Sequence, residues 1–449
     1  MFKRILVANR GEIALRVIRA AHELGVEVVA VYSEADRDSP HLAQADETVC
    51  IGPPKSAESY LKMEALIQAA EQHDCCAIHP GYGFLAENAL FAELCEQAKM
   101  SFIGPTAAAI RAMGDKATAR ETMRAAGLPV IPGSRGTLPD PAAGLKLARE
   151  IGFPVLLKAT AGGGGKGMRR VDGESDFIAK YREASIEAEK AFNNPGLYLE
   201  KYIVDGRHIE FQVLGDAFGH VVHLGERECS AQRRHQKLVE ESPSPVMTPE
   251  LREELGEKIR AALALVGYRN AGTVEFFRDE NGQLYFMEMN ARLQVEHPVT
   301  EQVTGRDLVV EQIRIAANEE ISFAQEEVEL AGHSIECRIN AEDPFDDFRP
   351  SPGLVEVFQP PATVPGGDVR VDSHVQPGYR IPVYYDSLIA KLIVRGADRD
   401  AARQATIAAL EAFEVGGVET TIPVHLRIMR NPDFAAGNYD TGFIARLLG

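Results

Sequence analysis

The chain is 449 residues long, enough for about three domains, and its 66 acidic and 48 basic residues give a net charge of −18. An acidic chain of this kind argues against nucleic acid or an anionic membrane as a partner, because both are bound through basic surfaces. No apolar run approaches the ~18 residues of a membrane span, and the first residues, Met-Phe-Lys-Arg-Ile-Leu-Val, do not form a secretory signal.

The first hundred residues alternate between strand and helix patterns. Strands are predicted at residues 4–8, 26–32, 76–79 and 102–103, and helices at residues 12–24, 60–72 and 87–98. Repeated strand–helix–strand units predict a doubly wound parallel sheet. The loop after the first strand, Asn9-Arg-Gly-Glu12, lacks the G-x-G-x-x-G pattern, so a nicotinamide site is not expected there.

A Pro/Gly-rich segment at residues 126–133 predicts a boundary. Beyond it, a strand at residues 154–158 leads into Gly162-Gly-Gly-Gly-Lys-Gly167, which is not a Walker A loop because Gly167 follows Lys166. A glycine run alone is equally compatible with a flexible turn and with a phosphate-covering lid. Lys158 before the run and Lys166 within it favour the lid.

The most informative stretch is residues 285–297. Its even positions from 288 to 296 are all polar and its odd positions from 287 to 295 are all apolar. Since alternate residues of an extended chain point to opposite sides, an extended segment would have one core face and one face for binding. The polar positions are Glu288, Asn290, Arg292, Gln294 and Glu296.

Asn281-Gly282, upstream of this stretch, predicts a two-residue hairpin turn. That turn places Glu275 directly opposite Glu288, with their Cβ atoms roughly 5 Å apart. Like charges there repel each other, and a hard dication such as Mg²⁺ would relieve the repulsion. Two glutamates on a solvated sheet face are the alternative, and for an arbitrary hairpin they are the commoner case. Here Asn290 and Arg292 continue the same face, which favours a metal site.

The segment from residue 333 onward is predicted as an α+β unit, with strands at residues 334–339, 355–358 and 387–394 and helices after residues 399 and 423. The predicted domains are residues 1–115, residues 116–330 with a lid at about 130–203, and residues 331–449. Six cysteines without C-x-x-C spacing predict neither a zinc site nor a disulfide framework, and are interpreted as reduced thiols of a cytoplasmic protein.

Together these residues resemble an ATP-grasp enzyme of the biotin carboxylase family. The resemblance extends over nearly the whole chain, and its most specific stretches lie in the second half. The matching stretches are residues 5–14, His79-Pro-Gly-Tyr-Gly-Phe-Leu-Ala-Glu-Asn88, residues 162–168, 207–210, Glu226-Arg-Glu-Cys-Ser-Ala-Gln-Arg-Arg-His-Gln-Lys237, Glu288-Met-Asn-Ala-Arg-Leu-Gln-Val-Glu-His-Pro-Val-Thr-Glu301 and residues 336–343.

The resemblance implies a two-step reaction with ATP and Mg²⁺ or Mn²⁺ as cofactors. ATP phosphorylates bicarbonate to carboxyphosphate, which then delivers CO₂ to the ureido nitrogen of carrier-bound biotin. The implied nucleotide-binding residues are Lys116 and Lys158 at the phosphates, Gly163, Gly164, Gly165 and Lys166 in the lid, Glu200, Lys201 and Ile203 at the adenine, and His208, Gln232 and His235. The implied metal ligands are Glu275, Glu288 and Asn290, in agreement with the hairpin.

The resemblance also implies roles around bicarbonate and biotin. Arg292 would bind bicarbonate as a fork and Lys237 as a point charge, with Gln294 and the backbone of Val295 adding hydrogen bonds. Glu296 resembles the general base that takes the bicarbonate proton. Arg338 resembles the cation that stabilises the biotin enolate, and Tyr82 a second biotin contact.

The resemblance further concerns partners. The chain contains no Met-Lys-Met tripeptide of a biotinylated domain, so biotin is expected on a separate biotin carboxyl carrier protein, with carboxyltransferase subunits as further partners. The family is commonly homodimeric. The expected role is the first half-reaction of acetyl-CoA carboxylase in fatty acid synthesis.

Other interpretations stay open at this point. The chain could serve a propionyl-CoA or pyruvate carboxylase, or be a non-catalytic nucleotide-sensing relative. A carbamoyl phosphate synthetase is disfavoured, because that enzyme has two tandem copies and this sequence shows no repeat.

Overall fold

The computed structural model describes residues 1–160, 168–204 and 206–449, with the side chain of residue 117 excepted. The N-terminal part is a five-stranded parallel sheet flanked by helices, which confirms the predicted doubly wound architecture. Its elements are β1 Arg4–Val7, α1 Gly11–Glu23, β2 Glu27–Ser33, β3 Glu47–Gly52, α2 Met63–Gln72, β4 Ala77–His79, α3 Ala89–Gln97, β5 Ser101–Phe102 and α4 Ala107–Gly114. The strand order is β3-β2-β1-β4-β5. The edge strand β3 was not predicted, because its sequence, Glu-Thr-Val-Cys-Ile-Gly, contains too few apolar residues to show a strand pattern.

A smaller antiparallel sheet follows, in the order β7-β6-β8, with helices packed on it through Leu157, Phe177 and Leu199. Its elements, preceded by α5 Lys116–Ala125, are α6 Pro141–Ile151, β6 Val155–Ala159, β7 Met168–Val171, α7 Glu174–Phe192 and β8 Leu197–Lys201. The predicted lid residues Gly163, Gly164, Gly165 and Lys166 lie outside the described residues.

The rest of the chain is built on one eight-stranded antiparallel sheet, in the order β13-β12-β9-β10-β11-β14-β19-β18. The elements of this part of the chain are β9 Arg207–Gly215, β10 Val221–Arg233, β11 Gln236–Ser242, α8 Pro249–Leu265, β12 Asn270–Arg278, β13 Leu284–Asn290, α9 His297–Thr304, α10 Leu308–Ala316, β14 His333–Asn340, β15 Glu342–Asp343, β16 Arg349–Pro350, β17 Val357–Gln359, β18 Gly367–Asp372, β19 Leu388–Gly396, α11 Arg399–Ala412, β20 Glu414–Gly416, α12 Ile422–Arg430, α13 Pro432–Ala435 and α14 Phe443–Leu448. The pairs β15–β16 and β17–β20 form two small separate sheets.

This sheet joins the middle and last parts of the chain, because β11 pairs with β14. Side chains from both parts can therefore share one face. The fold class predicted from the sequence is confirmed, while the three domain boundaries stay a prediction. Across the described residues, none of the helices combines the length and the hydropathy needed to cross a membrane.

The hairpin β12–β13 places Glu275 directly opposite Glu288, as predicted. The predicted two-residue turn is wrong, however. The last ladder pair is Arg278 with Leu284, and the Asp279 carboxylate accepts backbone hydrogen bonds from Asn281 (3.0 Å) and Gln283 (2.8 Å). A one-residue shift in the ladder after Glu275 compensates for the wider turn.

The predicted extended face is correct only as far as Asn290, where β13 ends. Residues 291–296 form bends and a turn instead, and α9 then begins at His297 with Pro298 in its first turn. The polar side chains of this segment therefore do not share a strand face. They lie beyond the end of β13, where they contact Glu87 and Lys237 of β11.

Candidate active site

Cross-strand pairing lines up one row of charged residues on the large sheet. Arg227 of β10 pairs with Glu210 of β9, Glu210 with Glu275 of β12, and Glu275 with Glu288 of β13. Directly opposite residues of adjacent strands have their side chains on the same face. Three neighbouring carboxylates therefore need cations close by, and the sequence supplies them.

Lys237 of β11 is the central cation. Its ammonium donates to Glu210 at 2.6 Å and to Glu296 at 2.5 Å, and it lies 3.6 Å from Glu275. The Glu210 carboxylate also accepts a hydrogen bond of 2.6 Å from Nε of the buried Arg227. One ammonium thus links the row on the sheet to the segment that leads into α9.

Glu275 is kept ionised by its neighbours. Burial alone would raise its pKa, but Lys237 and His208, whose Nε2 lies 3.1 Å away, lower the pKa of Glu275 to about 2. Burial lowers the pKa of His208, but the nearby Glu275 carboxylate raises it. The pKa of His208 is raised overall. Glu275 therefore presents a charged carboxylate in the near-neutral range.

The three predicted metal ligands lie together at the end of the hairpin. Glu288 Oε2 is 2.9 Å from the Lys116 ammonium, and Asn290 Nδ2 donates to Glu275 Oε1 at 2.6 Å. Carboxylate and amide oxygens are the ligands that Mg²⁺ prefers, so the donor set fits that ion. His208, Glu210 and Glu275 also have ligand atoms within 4.8 Å of one another. The Lys237 ammonium donates to Glu210 at 2.6 Å and lies farther, at 3.6 Å, from Glu275. The opposed pair Glu275 and Glu288 therefore stays the predicted metal site.

Glu296 is a fully buried carboxylate held between two cations. Its Oε1 accepts from Lys237 at 2.5 Å and its Oε2 from Arg338 at 2.8 Å. Burial favours the neutral acid, but Lys237, Arg338 and Arg227 hold the pKa of Glu296 well below its usual range. Glu296 is ionised at rest, and an anion that drew these cations away from it would make it a stronger base.

Arg292 is oriented by a residue that the sequence analysis did not single out. Its Nε donates to Glu87 at 2.8 Å and its Nη1 to the side chain of Gln294 at 2.8 Å. The other oxygen of Glu87 accepts the backbone N–H of Ala291 at 2.9 Å. Glu87 therefore fixes both the arginine and the turn that carries it. It lies within the stretch 79–88, but no local pattern predicts a partner 205 residues away.

A second missed residue is Lys391 of β19, which is completely buried. Its ammonium donates to the carbonyl of Val295 at 3.0 Å and lies 3.2 Å from Glu12 of α1. Lys391 thereby joins the N-terminal part of the chain to the segment before α9. A single lysine inside the apolar run Leu388–Gly396 was the available signal.

Some of the residues predicted around the nucleotide lie on strands β6 and β8 of the small sheet. Lys158 donates to Glu200 at 2.5 Å, and Arg120 also pairs with Glu200. The Lys201 ammonium donates to the carbonyls of Gly152 and Phe153, each at 3.0 Å, and its N–H donates to the carbonyl of Pro132 at 2.7 Å. Its side chain and N–H are thus both engaged within the protein.

The remaining predicted nucleotide residues lie on the connection after β8 and around the β10–β11 hairpin. Ile203 follows β8, and Gln232 is buried on β10 opposite Lys237. His235 is exposed in the tight turn, with a positive φ of 67°. Gln232 is thus close to the central ammonium, whereas His235 lies at the rim.

The residues predicted for biotin border the same centre. Arg338 of β14 donates from Nε to Glu240 at 2.6 Å and from Nη2 to Glu296 at 2.8 Å. The Tyr82 hydroxyl donates to Glu12, and its ring lies 5.9 Å from the Lys391 ammonium. The structure thus brings a base, its two cations and the predicted metal ligands into one cluster. Their individual roles stay predictions.

Three family models match successive parts of the chain. Residues 1–110 match the family described as "Biotin carboxylase, N-terminal domain", residues 115–324 "Carbamoyl-phosphate synthase L chain, ATP binding domain", and residues 336–446 "Biotin carboxylase C-terminal domain". A protein of Nostoc sp. named "Biotin carboxylase" is 55% identical over 99% of both chains. A protein of Methanothermobacter thermautotrophicus, named as one of the subunits of a pyruvate carboxylase, is 52% identical over 99% of this chain and 90% of its own length.

A solved structure agrees with these relatives. The biotin carboxylase domain dimer of the 2-oxoglutarate carboxylase of Hydrogenobacter thermophilus, in complex with MgADP, ADP and bicarbonate, superposes with a TM-score of 0.95 at 50% identity. The match covers 100% of this chain and 99% of that one. With sequence, fold and domain order in agreement, the chain belongs to the biotin carboxylase family.

Proposed function

We propose that the chain carboxylates biotin with ATP and bicarbonate, through carboxyphosphate. The observation that carries this proposal is the position of Glu296, an ionised buried carboxylate between the cations of Lys237 and Arg338. A site of this kind can bind a small anion and also accept its proton. The bicarbonate in the Hydrogenobacter structure supports the same ligand class.

In the first step, Arg292 and Lys237 hold bicarbonate, with Gln294 and the backbone of Val295 completing the contacts. Glu296 takes the bicarbonate proton, and the freed oxygen attacks the γ-phosphorus of ATP while the bond to ADP breaks. A metal ion held by Glu275, Glu288 and Asn290 would neutralise charge on the phosphates.

In the second step, carboxyphosphate separates into CO₂ and phosphate. The ureido nitrogen of biotin transfers its proton to the phosphate just released and attacks CO₂. Arg338 provides a fixed cation for the negative charge that develops on the ureido oxygen, and Tyr82 borders the same space. Glu296 would then release the bicarbonate proton to solvent before the next turnover.

The partners proposed for this reaction are a biotin carboxyl carrier protein, carboxyltransferase subunits and a second copy of the chain. The dimer is supported by the Hydrogenobacter domain dimer. Acetyl-CoA, as in fatty acid synthesis, is the acceptor proposed here. The relative from Methanothermobacter, named as part of a pyruvate carboxylase, favours pyruvate as the second candidate. The cytoplasmic location expected from the sequence stays a proposal.

ADP release by the purified chain tests this function. With Mg²⁺ and bicarbonate present, free biotin should stimulate release strongly, and omission of bicarbonate should abolish the stimulation. Arg338→Met should lose the stimulation while binding ATP normally. Nucleotide binding without any biotin-dependent turnover would contradict the proposal and favour a nucleotide-sensing relative.

A further inference from the structure

Two buried carboxyl groups face each other beside Arg338. Glu240 of β11 is directly opposite Glu336 of β14, and both side chains are completely buried. Such cross-strand neighbours have Cβ atoms roughly 5 Å apart. Neither residue has a role in the reaction described above.

The hydrogen bonding of this pair is incomplete. Among the described residues, neither oxygen of Glu336 has a hydrogen-bond partner, and neither does Oε2 of Glu240. Oε1 of Glu240, by contrast, accepts a hydrogen bond of 2.6 Å from Nε of Arg338. Buried polar atoms are nearly always paired, so three unpaired oxygens on two facing carboxyl groups need a physical reason.

A proton between the two groups supplies that reason. Two adjacent buried carboxylates cannot both stay ionised, because each charge disfavours the other and burial disfavours both. Burial, with Glu240 and Glu296 as like charges, raises the pKa of Glu336 well above its usual range. Burial and Glu296 also raise the pKa of Glu240 to about 7, against the opposing effect of Arg338. A protonated carboxyl can donate to the free oxygen opposite it.

The other groups around the pair stay in one charge state near neutrality. Lys237 and Lys391 have raised pKa values and remain cationic, as does Arg338. The pKa values of the Tyr82 phenol and of the thiols of Cys229 and Cys337 are raised, and these groups remain neutral. Glu296 remains ionised. Among these groups, the pair is therefore the part that can exchange a proton.

We propose that Glu240 and Glu336 share one proton and together position the guanidinium of Arg338. With one proton between them, the pair carries one negative charge, which anchors Arg338 through Glu240. A second charge would compete with Glu296 and with the substrate for the same guanidinium. Both glutamates are positioning residues, and their effect on biotin rests on the proposed function.

The shared proton is tested by infrared difference spectroscopy of the full chain, which does not depend on activity. Near neutral pH the wild type should show a carboxylic acid C=O band that is lost in Glu336→Gln. The control Glu342→Gln changes a half-buried carboxyl that accepts from Ser387, and should keep the band. An acid band that is unchanged in Glu336→Gln would overturn the proposal.

The positioning role is tested by steady-state kinetics. Glu240→Gln removes the ionic anchor and should lower kcat/KM for biotin by at least about tenfold, the loss expected for a charge-assisted hydrogen bond, while KM for ATP stays within about twofold. Glu336→Gln keeps the charged anchor on Glu240 and should lower kcat/KM for biotin by a smaller factor than Glu240→Gln does. Equal losses in both variants for biotin and for ATP would indicate a purely structural role and overturn the positioning claim.

The two readouts separate the possible failures. If no variant, the wild type included, turns over biotin, the proposed function fails and the infrared band still decides the shared proton. If Glu336→Gln does not fold, the infrared spectrum of Glu240→Gln decides whether the proton is shared. The acid band must then shift, because the remaining acid has lost its partner, and an unshifted band would overturn the proposal.

Discussion

Glu87→Gln is the sharpest test of how the proposed bicarbonate site is held. Glu87 accepts hydrogen bonds of 2.8 Å from Arg292 and of 2.9 Å from the N–H of Ala291. The glutamate side chain is 39% exposed and the arginine side chain 20% exposed, so solvent partly screens the pair. A buried charge-assisted hydrogen bond contributes about 1.5–3 kcal/mol and an exposed ion pair about 0.2–1 kcal/mol. We expect a loss of about 1 kcal/mol in bicarbonate binding, or about fivefold in affinity.

The assay is initial-rate ADP release at varied bicarbonate, with ATP and biotin saturating. KM for bicarbonate should rise about fivefold, while KM for ATP and kcat stay within about twofold. Glu93→Gln is the matched control, because Glu93 also binds an arginine, Arg111, that has no proposed role in the site. A folded Glu87→Gln enzyme with unchanged KM for bicarbonate would refute the idea that Glu87 orients Arg292.

Three further changes test other parts of the site and the fold. Glu296→Gln should lower bicarbonate-dependent turnover by at least ~100-fold, the lower end for loss of a general base, with ATP binding nearly intact; full activity would remove Glu296 from its role. Glu288→Gln should raise the Mg²⁺ concentration needed for half-maximal activity, and an unchanged metal titration would count against the opposed carboxylates as ligands. Despite burial, Arg370 and Lys391 lower the pKa of Asp372 to about 2. Its ionised form therefore contributes about 2 kcal/mol of stability that is present above pH ~4 and lost as the pH falls towards 2. In urea unfolding, Asp372→Asn should make this acid loss smaller by that amount, and an equal loss in both proteins would contradict it.

The local part of the site could be predicted from the sequence. The alternation of polar and apolar residues up to Asn290 identified one face of β13, and the turn signal at Asn281-Gly282 put Glu275 opposite Glu288. The turn itself was predicted wrongly, because the ladder ends at the pair Arg278 and Leu284 and the turn is longer than two residues. The prediction of the facing pair held because a bulge after Glu275 restored the register.

The other part of the site could not be read from neighbouring residues. The alternation beyond Asn290 suggested an extended chain, but the start of α9 at His297 and the backbone contact with Glu87 turn the segment instead. Glu87 and Lys391 act over separations of 205 and 96 residues. Only the tertiary arrangement of the sheets brings such charges together, and the spacing of residues along the chain does not predict that arrangement.

The oxygen atoms of bicarbonate test the central claim most directly. If a bicarbonate oxygen attacks the γ-phosphorus, that oxygen stays on phosphorus when carboxyphosphate releases CO₂. Turnover with ¹⁸O-labelled bicarbonate and unlabelled ATP and water, followed by mass spectrometry of the phosphate, reads this out. We predict one bicarbonate-derived oxygen in each phosphate formed during biotin carboxylation. Phosphate without label, formed at the same rate, would show that water attacks ATP and would contradict the proposed reaction.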